Sequence, residues 1–235
     1  MKKSEALALL KTNPVFWSRL GFCYDPPLAD ENGEPLVFEK DFSFYLDSHD
    51  MFADNGIKLH TSILHSGWVG VNKYDYSLCD HVLDSIFASG KVDYYIPRVK
   101  LNVPLDWCKK YPQCVCVYED GPRTATEIEN LVGTLKQDYL GYDSEKGYYN
   151  ANGYQDTRPN VGGVISLQSF SSKQWLKDAG EALKNLVLHI ENGKYADKIL
   201  AYHIAFGACG ESMPWGRQSG KFGDFGIENS QNFLE

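Results

Sequence analysis

Short apolar segments of strand character alternate along this chain with segments of helical periodicity, and this alternation limits the possible folds more than any other feature. The strand-like segments are 16–24, 57–64, 93–99 and 199–206. The helical segments between them are 44–55, 77–88 and 171–190. Repeated strand–helix units are typical of a parallel sheet covered by helices. We therefore expect an α/β protein in which the four strands lie parallel and adjacent, with the helices outside.

The most regular helical pattern covers 171–190. Ser172 stands where a side chain caps a helix N-terminus, and an Asn-Gly pair at 192–193 ends the pattern. Apolar residues recur at helical spacing and predict one buried face. The residues of that face are Trp175, Leu176, Ala179, Leu183, Leu186, Val187 and Ile190.

A long stretch at about 104–163 interrupts the alternation. It is polar, aromatic and rich in loop-forming residues, with one short strand-like segment at 114–118. A further short strand is predicted at 164–167. Because unstructured connections of this length inside a compact domain are usually lids or binding loops, we interpret the stretch as an insertion in a single domain, 1–235.

Polar and aromatic side chains gather where the predicted strands end. They are Tyr24, Asp25, His65, Trp68, Arg98, Asn102, Gln168 and Glu211. The carboxyl ends of the strands in a parallel α/β barrel open on one face, and that face holds the active site. We therefore expect these side chains to face a common cleft and to bind a ligand there.

Glu211 is the strongest candidate for catalysis. It follows an apolar strand in a glycine-rich turn, where the backbone is able to approach a ligand closely. Glycosidic cleavage needs a carboxylic acid to protonate the departing oxygen, and a second carboxylate as base or nucleophile. Apolar rings nearby would disfavour the charged form and raise the pKa of Glu211, as a general acid requires. The alternative is a surface glutamate in a turn.

Three residues are candidates for sugar binding but also have a structural alternative: Arg98, named above, and two more, His203 and Trp215. His203 lies within the fourth strand, where a histidine also serves as a structural side chain. Arg98 suits sugar hydroxyls, but also a salt bridge at the rim of a barrel. Trp215, just after Glu211, suits a platform under a sugar ring, because sugars present apolar C–H faces, but rim packing is its alternative.

Composition narrows the partners. The formal net charge of -8 disfavours nucleic acid, because an acidic surface repels phosphates. The chain has no basic amphipathic stretch and no apolar run of membrane-spanning length. Six scattered cysteines in a chain without a signal peptide favour a reducing cytoplasm, and their spacing fits no zinc site. We expect no metal and no cofactor.

The stretch QSFSSKQWLKDAGEALKNLVLHIENGKYADKILAYHIAFGACGE, which ends at Glu211, resembles the β-galactosidase-like glycoside hydrolases of clan A. The pieces FWSRLGFCYDPP, ILHSGW and YYIPRVKLNVPLDW are similar to the first three barrel strands of that family. GDFGIENSQNFLE is similar to the segment after the fourth strand, where an Asp–aromatic pair begins a helix. The resemblance implies a TIM (β/α)8 barrel whose acid/base glutamate, here Glu211, ends the fourth strand.

Two departures from the family pattern matter. Clan A has Asn before the acid/base glutamate, whereas Gly210 stands here, and a Gly-Glu pair resembles the inverting β-amylases. The resemblance therefore leaves the sugar and the stereochemical course open. The family's nucleophile comes from the seventh strand, and these 235 residues reach only the fourth. A full barrel needs about 250 residues, so we expect the N-terminal half, about four of eight strands.

The leading functional prediction is a glycosidase domain that hydrolyses O-glycosidic bonds of an oligosaccharide or polysaccharide, with its nucleophile outside this chain. One alternative is a noncatalytic carbohydrate-binding protein that has kept an aromatic cleft. The other is a structural half-barrel that assembles with another chain, since an open sheet edge favours association.

Overall fold

The computed structural model describes a large part of the chain, in several separate ranges. These are residues 2–12, 59–61, 63–88, 90, 92–101, 103–119, 121, 124–134, 141–143, 148–150, 164–205 and 222–234. The helices are α1 (Lys3–Thr12), α2 (Ser77–Ala88), α3 (Leu105–Lys110), α4 (Ala125–Thr134), α5 (Lys173–Glu191) and α6 (Ile227–Leu234), with 3-10 turns at Pro112–Cys114 and Ala196–Lys198. The strands are β1 (Leu59–His60), β2 (Ile63–His65), β3 (Trp68–Gly70), β4 (Lys73–Tyr74), β5 (Tyr94–Tyr95), β6 (Arg98–Lys100), β7 (Val115–Val117), β8 (Gly141–Asp143), β9 (Tyr148–Asn150), β10 (Val164–Gln168) and β11 (His203–Ala205).

Three stretches of chain form a parallel sheet. Strand β6 lies in the middle, with β2 on one side and β11 on the other, and both pair with it in parallel. Just before them, β1 pairs in parallel with β5, and a parallel bridge joins Tyr95 to Ile199. The predicted parallel arrangement is confirmed for these three stretches, which follow one another in chain order. The segments 16–24 and 44–55 lie outside the described residues.

One face of this sheet packs against helices. Leu64 and Val99 are register partners on β2 and β6, and both side chains are 0% exposed. They share one apolar cluster with residues of α2 and α5, including Ile86 and Leu186. Full burial of an aliphatic side chain of this kind contributes about 1.5–3 kcal/mol. Because side chains alternate along a strand, Arg98 points to the opposite face.

Helix α1 covers the beginning of the same strands. A second, smaller cluster joins it to them and consists of Ala6, Leu7, Leu59, Tyr94, Ile96 and Leu200. Lys3 joins the helix to the end of α5 and the turn that follows it. Its Nζ donates to the Ala196 carbonyl at 3.1 Å and lies 3.7 Å from a carboxylate oxygen of Glu191. The amino ends of the strands are thus packed with apolar side chains.

Helix α2 occupies the predicted range, 77–88. Its buried face consists of Cys79, Val82, Leu83, Ile86 and Phe87. Asp75 lies before it and accepts a hydrogen bond from the Ser77 N–H at 2.8 Å, which satisfies one of the free donors of the first turn. Gly90 follows the helix with a φ of +69°, a left-handed conformation that favours glycine after a helix.

Helix α5 also lies where the sequence predicts it, and Ser172 caps it by accepting from the Trp175 N–H at 3.1 Å. The buried face differs from the prediction in three ways: Ala182 is buried although it was not predicted, Leu183 and Val187 are only partly buried, and Leu176 is exposed. Its fully buried members are Trp175, Ala179, Ala182, Leu186 and Ile190. Leu176 is 57% exposed and was wrongly assigned to this face. It stands one residue, about 100° of helical turn, beyond Trp175, and the spacing of the buried residues leaves it outside the apolar stripe.

The stretch 104–163 holds more regular structure than the single short strand predicted there. It contains α3, the turn Pro112–Cys114, β7, α4 and a hairpin of β8 and β9. Strand β7 pairs antiparallel with β10. Elements as short as the six-residue α3 are too brief to give a clear periodic pattern. Their own buried residues, such as Trp107 in α3 and Val117 in β7, belong to the main apolar cluster.

The segment 222–226 extends this antiparallel part. Phe225 donates its backbone N–H to the Val117 carbonyl at 2.7 Å, and Asp224 Oδ1 accepts from the Val117 N–H at 3.0 Å. The same oxygen accepts from the Gly226 N–H, so Asp224 forms a turn directly before α6. Helix α6 thus begins shortly after the Asp224–Phe225 pair. In the part of the chain described here, no helix is long and apolar enough to cross a membrane.

Candidate functional site

Arg98 and His203 lie side by side on the sheet face that points away from the helices. They are register partners on β6 and β11, and in-register residues of neighbouring strands project to the same side. The His203 N–H donates to the Pro97 carbonyl at 2.9 Å, which fixes the position of the strand. Arg98 is only 6% exposed, whereas His203 remains exposed.

The surroundings favour the neutral form of His203. Desolvation lowers its pKa below the ordinary histidine value, and the positive charge of Arg98 lowers it further. A neutral imidazole has one donor and one acceptor nitrogen, while a guanidinium has five N–H donors. Together they form a polar surface suited to hydroxyl groups or to a carboxylate.

Two more of the predicted site residues stand at strand ends, in different settings. His65 is the last residue of β2 and lies in register with Lys100 at the end of β6, at the same sheet edge as the end of β11. Gln168 ends β10 and is 1% exposed. Its Oε1 accepts from the Val103 N–H at 3.3 Å, so this side chain connects β10 to the segment after β6.

Trp68 takes part in packing. It is 6% exposed, its indole N–H donates to the Gly70 carbonyl at 3.0 Å, and its ring meets Trp107 edge-on at 6.4 Å. Trp107 is fully buried and donates its indole N–H to Asp178 Oδ2 at 2.8 Å. Both rings therefore pack inside the protein and offer no open platform for a sugar.

The remaining predicted site residues lie outside the part of the chain that the structure describes. They are Tyr24, Asp25, Asn102, Glu211 and Trp215. Glu211 follows shortly after Ala205, the last residue of β11, so the strand that carries His203 leads toward it. The common cleft with Glu211 remains a prediction.

The two ends of the sheet differ in chemistry. A cavity of about 790 Å³ lies at the amino ends of the strands. Its lining consists of Lys2, Lys3, Ser4, Asp93, Tyr94, Asp197 and Lys198. In parallel barrels the reactive groups stand toward the carboxyl ends instead. We therefore place the candidate site in the carboxyl-terminal halves of the stretches 59–65, 94–100 and 199–205, where Arg98 and His203 begin β6 and β11.

The described cysteines are buried thiols, and they do not belong to a metal-binding group of three or more residues within the described ranges. No group of three or more His, Cys, Asp or Glu residues there is arranged to hold a metal ion. Cys79, Cys108, Cys114 and Cys116 are buried free thiols. Burial raises the pKa of Cys114 to about 12 and those of the other three as well. A thiol is a nucleophile in its thiolate form, so these four are unsuited to that role.

One group of residues had no part in the sequence prediction. Tyr111, Gln174 and Asp178 line a cavity of about 340 Å³ beside Trp68. The sequence offered only a weak signal, a Gln and an Asp four residues apart next to the buried face of α5.

No family model matches this chain, and no curated protein and no solved structure is significantly similar to it.

Proposed function

We propose that this chain is the N-terminal part of a TIM-barrel glycoside hydrolase that cleaves O-glycosidic bonds of a β-galactoside-like oligosaccharide or polysaccharide. Glu211 is its general acid/base, and the second carboxylate comes from a later barrel strand. The proposal places the protein in the cytoplasm, with a carbohydrate as its partner and no cofactor.

The observation that carries the proposal is the arrangement of the parallel strands. The stretches 59–65, 94–100 and 199–205 lie side by side in the order in which they occur along the chain, as successive strands do in a (β/α)8 barrel, although other short strands occur between them in the sequence. Helices pack on one face, and the opposite face carries Arg98 and His203. In a barrel that face is the interior, so both residues would belong to the wall that leads to the active-site end.

The roles follow from the chemistry of the groups. Glu211, shortly after β11, would donate a proton to the departing oxygen and later accept one from water or a sugar hydroxyl. Neutral His203 would donate to or accept from a sugar hydroxyl. Arg98, beside it on β6, would orient a hydroxyl or the carboxylate partner through its planar set of N–H donors.

A second candidate function is a half-barrel that assembles with another chain. The segment 222–234 favours it, because it presents large apolar side chains to solvent, and such patches mark interaction surfaces. The exposed fractions are 71% for Phe222, 48% for Phe225, 89% for Phe233 and 85% for Leu234.

The test is hydrolysis of a panel of nitrophenyl glycosides by the protein with its downstream strands. We expect release of nitrophenol from the β-galactoside or a related β-glycoside. The Glu211→Gln variant should still release nitrophenol, because this leaving group hardly needs protonation, but it should cleave a natural glycoside about 10² to 10⁴ times more slowly. A wild-type protein that binds these glycosides and releases nitrophenol from none of them would overturn the enzymatic proposal in favour of a binding or assembling half-barrel.

A further inference from the structure

The cavity beside Trp68 is formed by three elements that come together from distant parts of the sequence. They are the β3–β4 hairpin, the end of α3 with Tyr111, and the first turns of α5. Its lining consists of Trp68, Val71, Asn72, Tyr74, Trp107, Tyr111, Gln174, Lys177, Asp178 and Glu181. The volume, about 340 Å³, falls within the range of small-molecule pockets, about 300–1,000 Å³.

The polar groups of this cavity are held in place. The Trp107 indole N–H and the Gln174 amide both donate to Asp178 Oδ2 at 2.8 Å. Asp178 is half-buried, and both of these hydrogen bonds use the same oxygen, Oδ2. Its Oδ1 and the Gln174 carbonyl oxygen are therefore oriented acceptors, and fixed acceptors of this kind select hydroxyl donors.

The aromatic side chains form the apolar part of the lining. Tyr74 and Tyr111 are half-buried, unlike the two tryptophans beneath them. Tyr111 packs on Trp107 with ring centroids 5.2 Å apart, and Tyr74 stacks on Tyr76 at 6.4 Å. Each tyrosine ring is thus supported from one side and presents part of its surface to the cavity.

The charges of the lining select a neutral ligand. The lining includes one cationic side chain, Lys177, and two carboxylates, Asp178 and Glu181. The carboxylates disfavour a phosphate or another anion, and the lysine disfavours a cation. A neutral ligand with hydroxyl groups and apolar C–H faces fits the combination of fixed acceptors and ring surfaces.

We propose that this cavity is a second carbohydrate-binding site, separate from the Arg98–His203 surface, and that it holds a neutral sugar unit of a glycan. The choice of a saccharide as ligand rests on the proposed function. The polar acceptors at Gln174 and Asp178 bind hydroxyls, and the rings of Tyr74 and Tyr111 pack against the sugar.

The test is calorimetric titration with lactose, using protein that also carries Glu211→Gln so that the sugar is not consumed. Gln174→Ala should weaken binding at this site about three- to tenfold, the effect of losing one hydrogen bond. Tyr111→Ala removes the ring surface and should weaken it at least as much. Lys109→Ala is the matched control, because Lys109 is an exposed residue of α3 that does not line the cavity.

The outcomes separate this site from the catalytic proposal. Unchanged lactose binding in both Gln174→Ala and Tyr111→Ala would overturn the second site, whether or not the protein hydrolyses glycosides. Absence of lactose binding in the unsubstituted cavity, or tighter binding of inorganic phosphate there, would overturn it as well. If Gln174→Ala and Tyr111→Ala weaken lactose binding but the protein hydrolyses no glycoside, the second site is supported and the proposed enzymatic function is overturned.

Discussion

At the scale of single residues, the pairing of Arg98 with His203 is the most informative feature of the sheet. Desolvation of the imidazole lowers the pKa of His203, and the positive charge of the neighbouring Arg98 lowers it further. The two residues are far apart in sequence and meet only because β6 and β11 pair in register. The sequence predicted Arg98 near the end of its strand, whereas Arg98 and His203 are the first residues of β6 and β11.

The arginine charge should set part of the His203 pKa. Replacing the charge by a neutral side chain, as in Arg98→Met, should raise that pKa toward the ordinary value of about 6.5. Arg98→Lys keeps a positive charge and should leave the pKa low. The measurement is an NMR titration of the imidazole protons in the three proteins. Identical pKa values in Arg98→Met and wild type would contradict a charge coupling between these residues.

His203 should also make stability depend on pH. Its pKa is lower in the folded protein than in the unfolded chain, so the unfolded chain binds the proton more readily. The folded protein should therefore lose stability as the pH falls below about 6.5 toward the folded pKa. Because His203 is exposed, the effect is small. In His203→Gln, the urea midpoint should fall less between pH 7.5 and pH 5.5 than in wild type, and an equal fall in both would contradict this prediction.

At the scale of elements, the helices that the sequence predicted are those with long periodic patterns. Helices α2 and α5 lie where expected because their apolar residues recur over three turns or more. The sequence did not predict α3 and α4, because neither has a long apolar pattern. Helix α3 has only six residues, and Ile128 is the one buried residue among the described side chains of α4. Leu176 is exposed although it was predicted on the buried face of α5, because helical periodicity predicts the direction of a buried face more accurately than its width.

Two leucines of α5 test the assignment of its buried face. Leu186 is fully buried, whereas Leu176 is 57% exposed. Leu186→Ala should lower the free energy of unfolding by about 2–5 kcal/mol, because it removes buried methyl groups and leaves a cavity. Leu176→Ala is the matched control and should change it by about 0.5 kcal/mol or less. Urea denaturation of both variants measures the difference, and equal losses would mean that α5 buries another face.

At the scale of the whole molecule, the sequence predicted the chain order of the parallel strands but not the contacts between distant segments. The Trp107–Asp178 and Val103–Gln168 hydrogen bonds join residues that no local pattern relates. The cavity beside Trp68 depends on such contacts, and so does the antiparallel pairing of β7 with β10. Local periodicity identifies elements, whereas the pairing of remote segments depends on how all of them pack together.

One comparison tests most directly whether Glu211 acts as the general acid of a glycosidase. Glu211→Gln and wild type are assayed, in the protein with its downstream strands, on a natural glycoside and on a nitrophenyl glycoside. The amide keeps the shape of the carboxyl group but has no proton to deliver, so turnover of the natural substrate should fall by about 10² to 10⁴. The nitrophenyl glycoside should lose much less, because its leaving group hardly needs protonation. An equal loss on both substrates would contradict the acid role, and unchanged turnover on both would remove Glu211 from the active site.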